Sequence, residues 1–316
     1  MQSKEIFSSQ LPVGERLSIM RTRFTPERHF KNTKRICIVS GIHGDELEGQ
    51  LVIFLLVEWL RNNPSSIQGI IDVYPAVNAL GVDTIIRGVP VYGVDLNRVF
   101  PGSKHEFLPG QMAHALTKDI KGSDIAIDIH SSNIFLREIP QIRINREFSK
   151  QTAPLAKELN CDFIWIHDAV TVLESTFSHT LNSLGTKTLV VEMGVGMRLT
   201  QAYGKQLLHG ILNLMKTEGI ISTKESFERR EPFTSDVGQV FYVNSPVSGL
   251  FVPALDHCAV INKDETIGQV VDPLTGEIKA TLKAPNGGIL FTLREYPVVY
   301  EGSLIARIFG ESDEKN

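Results

Sequence analysis

A short turn between a buried strand and a helix is the feature that most constrains this chain. The apolar run Ile36–Val39 is followed by Ser40-Gly41-Ile42-His43-Gly44-Asp45-Glu46 and then by the amphipathic segment Leu47–Leu60. These hydrophobic patterns predict a central strand and the helix that follows it. Open α/β sheets bind ligands outside the carboxyl ends of their strands, so the turn is a candidate site. It carries an imidazole and a carboxylate, His43 and Glu46, near enough in the chain to bind one cation.

Strand and helix patterns alternate along the first 225 residues. We predict strands at 35–40, 70–74, 124–129, 162–166 and 186–191, and helices at 46–61, 111–121, 149–159, 175–184 and 200–218. The polar residues 1–33 hold a strand or hairpin around 17–24, which we expect at an edge of the sheet. This order predicts an α/β fold with a mixed, mostly parallel central sheet and helices on both faces. The sequence of residues 78–110 predicts a long irregular segment. Such segments inside compact domains are usually functional or disordered.

The pattern changes after about residue 225. From Gln239 onward there are only short β-rich runs separated by Gly and Pro, such as Val247–Phe251 and Ala284–Leu290. We therefore predict one domain at 1–225 and a small all-β domain, a β-sandwich, at 239–310. The second domain resembles the biotinyl/lipoyl carriers. Its hairpin turn, Asp272–Gly276, has no carrier lysine, so we expect a packing role instead of a swinging arm.

Composition and charge exclude several classes of protein. The net charge of −4 argues against a general nucleic-acid binder. No apolar run approaches the roughly 18 residues of a membrane-spanning helix, and the first ten residues lack the apolar core of a signal peptide. The three cysteines lie far apart and predict neither a disulfide framework nor a cysteine metal site. We expect a cytoplasmic protein without membrane partners. The sequence is compatible with a homo-oligomer but does not decide the oligomeric state.

Two further side chains extend the candidate site. His130 and Glu192 each directly follow a predicted strand, so they are expected at the same edge of the sheet as His43 and Glu46. Two neutral imidazoles and one carboxylate form the ligand set of a catalytic zinc ion with an open position for water. We predict that His43, Glu46 and His130 bind one Zn²⁺ per chain. Either histidine taken alone has a structural alternative.

The residues around His130 leave several roles open. Arg137, Arg143 and Arg146 follow it on a predicted loop, and one of them is expected to shape a substrate pocket. Asp128 lies two residues before His130 and therefore on the same side of the strand. Its carboxylate either orients the imidazole or is a buried carboxylate with partners of its own.

Four motifs in this order resemble those of a known family of hydrolases. They are His43-Gly44-Asp45-Glu46, Asp95-Leu96-Asn97-Arg98-Val99-Phe100-Pro101-Gly102, Asp128-Ile129-His130 and Val191-Glu192-Met193-Gly194. They resemble zinc carboxypeptidase-like hydrolases, and they look most like the succinylglutamate desuccinylase/aspartoacylase branch over roughly residues 35–220. The resemblance implies a zinc carboxypeptidase-like fold and a zinc ion on the two histidines and Glu46.

The same resemblance assigns roles to four other residues. It implies that Glu192 is the general base and acid, that Asn97 and Arg98 bind a substrate carboxylate, and that Arg87 polarises the substrate carbonyl. The chemistry of these groups agrees, because arginine stays protonated and its planar fork fits a carboxylate. The alternatives are a helix-capping carboxylate for Glu192 and a surface turn for Asn97-Arg98.

The function expected from these residues is zinc-dependent hydrolysis of a small amide. The substrate would be an N-acyl amino acid or a similar N-acylated molecule with a carboxylate, which makes the enzyme a deacylase. A metallocarboxypeptidase would use the same zinc chemistry on the last residue of a peptide. A non-catalytic binding protein on the same scaffold is a third hypothesis, and the presence of Glu192 beside all three predicted ligands argues against it.

Overall fold

Strands and helices alternate in the first two-thirds of the chain, as the sequence predicts. The computed structural model describes residues 1–27, 33–168 and 174–310. The strands are β1 (Gln2–Gln10), β2 (Arg16–Phe24), β3 (Arg35–Ser40), β4 (Ile70–Tyr74), β5 (Ile125–Ser131), β6 (Leu136–Asn145), β7 (Phe163–His167), β8 (Lys187–Gly194), β9 (Phe233–Thr234), β10 (Gln239–Asn244), β11 (Gly249–Pro253), β12 (Val260–Ile261), β13 (Thr266–Val271), β14 (Ile278–Lys283), β15 (Gly288–Arg294), β16 (Val298–Val299) and β17 (Leu304–Gly310). The helices are α1 (Glu48–Asn62), α2 (Ala79–Thr84), α3 (Leu108–Ile120), α4 (Ser149–Ala156), α5 (Phe177–Ser183) and α6 (Gln201–Thr217).

One large mixed sheet organises the molecule. Its main path is β1-β2-β4-β3-β5-β8-β6-β15-β17-β10. The four central strands β4, β3, β5 and β8 run parallel to one another. The predicted strand around residues 17–24 is β2, which forms a hairpin with the edge strand β1 and pairs antiparallel with β4. The parallel centre brings the carboxyl ends of β3, β5 and β8 side by side.

Helices cover both faces of the central strands. Ile38 of β3 lies in one core with Leu56 of α1, whereas the neighbouring Val39 lies in a second core with Met112 of α3. Successive side chains of a strand point to opposite faces, so the two cores lie on opposite sides of the sheet. This arrangement confirms the predicted α/β class. Within the described ranges, no helix is long and apolar enough to cross a membrane.

The C-terminal segment consists mainly of strands, as predicted. A separate four-stranded sheet has the order β14-β13-β11-β16. The strands β15, β17 and β10 instead continue the main sheet, because β15 pairs with β6. A third apolar core that includes Phe251 and Ile308 serves this part of the chain. The domain limits 1–225 and 239–310 stay a prediction.

The segment after His130 differs from the sequence expectation. Residues 136–145 form strand β6 instead of a loop, and Arg137 and Arg143 lie on this strand. Pro140 lies inside the strand, where the register with β8 shifts between Glu138 and Gln141. Proline is tolerated at such an irregularity, but it disguises a strand in the sequence. The correction matters because a strand inside the sheet holds its side chains more rigidly than a loop.

Candidate active site

Two predicted site residues, His43 and Glu46, lie in the turn between β3 and α1. The turn packs so tightly that a Cβ added at Gly44 would lie 2.0 Å from the carbonyl carbon of Gly81. Gly44 N also donates a hydrogen bond to the main-chain oxygen of Arg87, at 3.2 Å. Only glycine permits this approach of two backbone segments. The turn therefore holds the segment that carries Arg87 beside the two side chains.

The other two strand-end residues lie next to each other in the sheet. His130 near the end of β5 and Glu192 near the end of β8 are register partners. Ser131 N donates a hydrogen bond to Glu46 Oε2, at 3.2 Å, which ties the turn after β3 to the end of β5. The parallel sheet thus brings together the residues that the sequence places far apart.

The side chains of His43, Glu46 and His130 converge on one point. The Nδ1 atoms of the two histidines are 3.2 Å apart, and each lies 2.8 Å from a Glu46 carboxylate oxygen. All three residues are buried, and their donor atoms lie within 4.8 Å of one another. A buried cluster of two imidazoles and a carboxylate of this size could hold a metal ion.

Two aspartates hold the outer nitrogens of these histidines. His43 Nε2 donates to Asp95 Oδ1 at 3.0 Å, and His130 Nε2 donates to Asp128 Oδ2 at 2.9 Å. A neutral ring that carries its proton on Nε2 presents its lone pair on Nδ1, so both lone pairs face Glu46. Sequence reasoning gave Asp95 no role. The sequence feature that could have indicated Asp95 is its position at the start of the turn Asp95–Arg98. In the structure, its side chain also accepts a hydrogen bond from Asn97 N at 2.8 Å.

The charges of the cluster shift the pKa values of its members. Burial raises the pKa of the Glu46 carboxyl, but the two neighbouring histidines outweigh this effect and lower it far below its usual range. Burial likewise opposes charge on His43 and on His130, and the adjacent carboxylates outweigh it and raise both pKa values. Glu46 therefore stays a carboxylate, which is the form that binds a metal ion.

Arg87 and Arg143 approach the cluster from two sides. Arg87 Nη1 donates to Glu46 Oε1 at 2.6 Å, and Arg143 Nη1 lies 3.3 Å from Glu192 Oε1. Burial raises the pKa of the Glu192 carboxyl, against the opposing effect of Arg143. A carboxyl with a raised pKa beside the His-Glu-His cluster suits proton transfer near neutral pH. Sequence reasoning did not single out Arg143 among the three arginines after His130.

Asn97 and Arg98 lie in a tight turn and line a cavity that His43 and His130 also border. The Asn97 side chain is fixed because its Oδ1 accepts a hydrogen bond from Phe177 N at 2.8 Å. Arg98 Nη1 donates to the main-chain oxygen of Asn97, also at 2.8 Å. Both side chains are thus held at the cavity, with Asn97 anchored to the first residue of α5.

Two cavities meet at this site. The first, of about 350 Å³, is lined by His43, His130, Asn97 and Arg98 and by the aromatic residues Phe148 and Trp165. The second, of about 340 Å³, is lined mainly by polar side chains, among them Ser131, Ser132, Glu138 and Arg307. Arg87, Arg143 and Glu192 border both cavities. A ligand bound against these three shared side chains would place one half in each cavity.

The fold and the site define an α/β protein with a buried His-Glu-His cluster that could hold a metal ion at the carboxyl ends of its central strands. The sequence model of the succinylglutamate desuccinylase/aspartoacylase catalytic domain matches residues 32–217, more than half of the chain. The protein therefore belongs to this family, as the motifs of its sequence indicate.

Known relatives agree with this assignment. The N-alpha-acetyl-L-2,4-diaminobutyric acid deacetylase of Halomonas elongata is 24% identical over 278 residues, which are 86% of this chain and 80% of the relative. A succinylglutamate desuccinylase/aspartoacylase from Rhodobacter sphaeroides has the same fold, with a TM-score of 0.80 and 23% identity over 99% of this chain and 96% of the other. The product-bound ectoine utilization protein EutE (DoeB) of Ruegeria pomeroyi also has a TM-score of 0.80, at 19% identity over 96% and 92% of the two chains.

Proposed function

We propose that this protein is a zinc-dependent deacylase that hydrolyses the amide bond of an N-acyl amino acid or a similar small N-acylated substrate with a carboxylate. The observation that carries the proposal is the convergence of His43, Glu46 and His130 beside Glu192 at the junction of two cavities. Family membership supports hydrolysis of this class of substrate, and so does the likeness to a deacetylase of an N-acetylated amino acid.

The residues present fit one zinc ion. His43 Nδ1, His130 Nδ1 and a Glu46 oxygen supply two imidazoles and one carboxylate, and Asp95 and Asp128 orient the rings. This donor set is that of a catalytic zinc site and leaves room for water and substrate. When it is bound, zinc polarises the amide carbonyl and lowers the pKa of water from about 16 to about 7.

Glu192 would move the protons of the reaction. Its carboxylate takes the proton from the attacking water and passes it to the amine that leaves. The lining of both cavities by Glu192 supports this role, because the scissile bond of a ligand that spans the two would lie near it. Arg143, at 3.3 Å, stabilises the ionised form of Glu192 that must accept the proton.

Three other side chains would bind and orient the substrate. Arg87, whose side chain is 41% exposed, can donate to the carbonyl oxygen where negative charge develops. Arg98 and Asn97 can bind a substrate carboxylate, the arginine through two donors of its planar fork and the asparagine through its amide. Such contacts fix the substrate orientation and so lower the entropic part of the barrier.

A substrate panel combined with metal analysis tests the proposal. The protein, purified without chelator, is analysed for bound metal by mass spectrometry. It is then assayed with N-acetyl, N-succinyl and N-formyl amino acids, N-acetyl-2,4-diaminobutyrate, and C-terminal-Lys, -Arg and -Phe dipeptides. We expect one zinc ion per chain, hydrolysis of at least one N-acyl amino acid, and loss of activity after chelation that zinc restores.

Other outcomes would favour the two competing functions. Hydrolysis of the dipeptides alone would replace the deacylase with a metallocarboxypeptidase. Tight binding of an N-acyl amino acid without turnover, in protein that contains zinc, would favour a non-catalytic binding protein.

A further inference from the structure

A row of polar side chains crosses the sheet from the C-terminal strands toward the candidate active site. Glu138 of β6 is the register partner of Thr292 of β15, and Thr292 is the register partner of Arg307 of β17. Directly opposed residues of neighbouring antiparallel strands have side chains on the same face. The row therefore joins the segment 239–310 to the strand that carries Arg143.

Glu138 is the centre of this row. Its side chain is 1% exposed, and it accepts from Arg307 Nη1 at 2.5 Å and from Thr292 Oγ1 at 3.3 Å. A buried carboxylate needs charged or hydrogen-bonding partners, because the loss of its water shell is otherwise costly. Arg307 supplies one cationic partner from the C-terminal side.

Arg143 is the second charged partner of Glu138. Arg143 Nη2 donates to Glu138 Oε2 at 2.9 Å, while Nη1 of the same guanidinium lies 3.3 Å from Glu192 Oε1. Both Arg143 and Arg307 also lie 5.5 Å from the centre of the Trp165 ring. One guanidinium thus joins the carboxylate at the centre of the row to the carboxylate at the active site.

We propose that Arg307 is a positioning residue of the active site: it shares the charge of Glu138, and so leaves Arg143 aligned with Glu192 at the wall between the two cavities. Without Arg307, Glu138 would have Arg143 as its remaining cationic partner within this row. The stronger attraction would draw the Arg143 fork toward Glu138 and away from Glu192. The C-terminal strands thereby become part of the catalytic arrangement, although they supply none of the predicted metal ligands.

A double-mutant cycle tests this proposal, which rests on the proposed deacylase function for its kinetic readout. R307Q, R143Q and the double variant are compared with the natural protein on whichever substrate of the panel is hydrolysed. We expect R307Q to lower kcat by about 10-fold to 100-fold, because small misplacements at an active site have effects of that size. Because Arg307 acts through Arg143, we expect R307Q to lower kcat by less than about twofold further in the R143Q background. Losses that multiply in the double variant would overturn the proposal, as would an R143Q variant with unchanged kcat.

Conservative and control variants separate positioning from a loss of stability. R307K retains a cation that can contact Glu138, so we expect it to recover most of kcat. R137Q removes another ion pair between β6 and the C-terminal segment, Arg137 with Glu295 at 3.0 Å, and should leave kcat within about twofold. Zinc content and thermal unfolding are measured for every variant. An equal loss of kcat in R137Q would assign the effect to the packing of the segment and overturn the proposal.

A structural readout keeps the test independent of the substrate. Crystal structures of the natural protein and of R307Q, or of R307M if R307Q does not fold, should show Arg143 withdrawn from Glu192 in the variant. An Arg143 that keeps its contact with Glu192 in the variant would overturn the positioning role. If the natural protein hydrolyses nothing in the panel, the deacylase function fails, and these structures still decide whether Arg307 positions Arg143.

Discussion

Two buried polar clusters lie near opposite ends of the same central strand, β3, and they differ in how their charges are partnered. Near its amino end, Asp72 lies between Arg23 and Arg35, with hydrogen bonds of 2.7 Å from each. Beyond its carboxyl end, His43 converges with His130 and Glu46. The first cluster pairs cations with anions directly. The second points the Nδ1 atoms of two imidazoles and the oxygens of a carboxylate at one another.

This difference separates a cluster of ion pairs from a cluster that could hold a metal ion. Each carboxylate oxygen of Asp72 accepts from an arginine, and Asp72 lines neither of the two cavities. In the second cluster, His43 and His130 border the first cavity and Glu46 borders the second. Groups this close need positive charge between them, which protons on the two imidazoles or a metal ion supplies, and two imidazoles with one carboxylate could hold a metal ion. Burial of charged residues alone would not have told the two apart.

The largest expected effect belongs to Glu192. The E192Q variant keeps the shape of the side chain but cannot accept a proton, so kcat should fall by about 10²-fold to 10⁴-fold. Steady-state kinetics on a hydrolysed substrate measures the loss, and metal analysis should find zinc unchanged. The matched control is E58Q on the exposed surface of α1, which should retain full activity. Undiminished turnover in E192Q that retains zinc would refute the role of Glu192 as base.

At the other end of β3, we expect the Asp72 cluster to affect stability and to leave activity unchanged. The D72N variant leaves Arg23 and Arg35 without their buried anion, and the free energy of unfolding should fall by about 3–5 kcal/mol. The zinc content and kcat of the folded fraction should stay unchanged. Denaturant unfolding and kinetics of the same samples measure both quantities, with the exposed D83N as control. A large loss of kcat without loss of stability would contradict the structural assignment of this cluster.

A smaller effect is expected where an aspartate orients a predicted metal ligand. Replacing Asp128 by Asn removes the carboxylate that holds His130 Nε2, so zinc affinity should fall by about 10-fold to 100-fold. Competition with a coloured chelator measures the affinity, and D83N again serves as the control. D95N should lower the zinc affinity in the same way, because Asp95 holds His43 Nε2. Unchanged affinity in both variants would remove these aspartates from the metal site.

The smallest expected effect concerns the pH dependence of zinc binding. Neighbouring carboxylates raise the pKa of His43 and of His130 above that of an ordinary imidazole, about 6.5. Protons compete with the metal for the neutral imidazoles, so the zinc affinity should fall as the pH is lowered. Because both pKa values are raised, this fall should already begin at a pH higher than about 6.5. The D128N variant lacks one of these carboxylates, so its decline should begin at a lower pH. A decline that begins at the same pH in both proteins would contradict this cause.

The sequence was sufficient to predict the central strands of the sheet and the residues that converge at their carboxyl ends. The strong apolar periods before His43, His130 and Glu192 predicted strands that the structure confirms as β3, β5 and β8. Parallel neighbours must then bring those strand ends together, which is why residues far apart in the chain could be placed at one site. Sequence reasoning missed β6, because Pro140 and the polar residues of that strand, among them Arg137 and Arg143, obscure its apolar pattern.

The sequence by itself determined the kinds of ligand atoms and the edge of the sheet on which they lie, because residue types and hydrophobic periods are local properties. Only the tertiary structure decided which neighbours complete them. The contact of Asp95 with His43, of Arg87 with Glu46 and of Arg143 with Glu192 each joins segments that no local pattern pairs. The link from Arg307 to Glu138 likewise depends on the register of β6, β15 and β17. Register is set by packing across the whole sheet, and therefore only the folded chain reveals it.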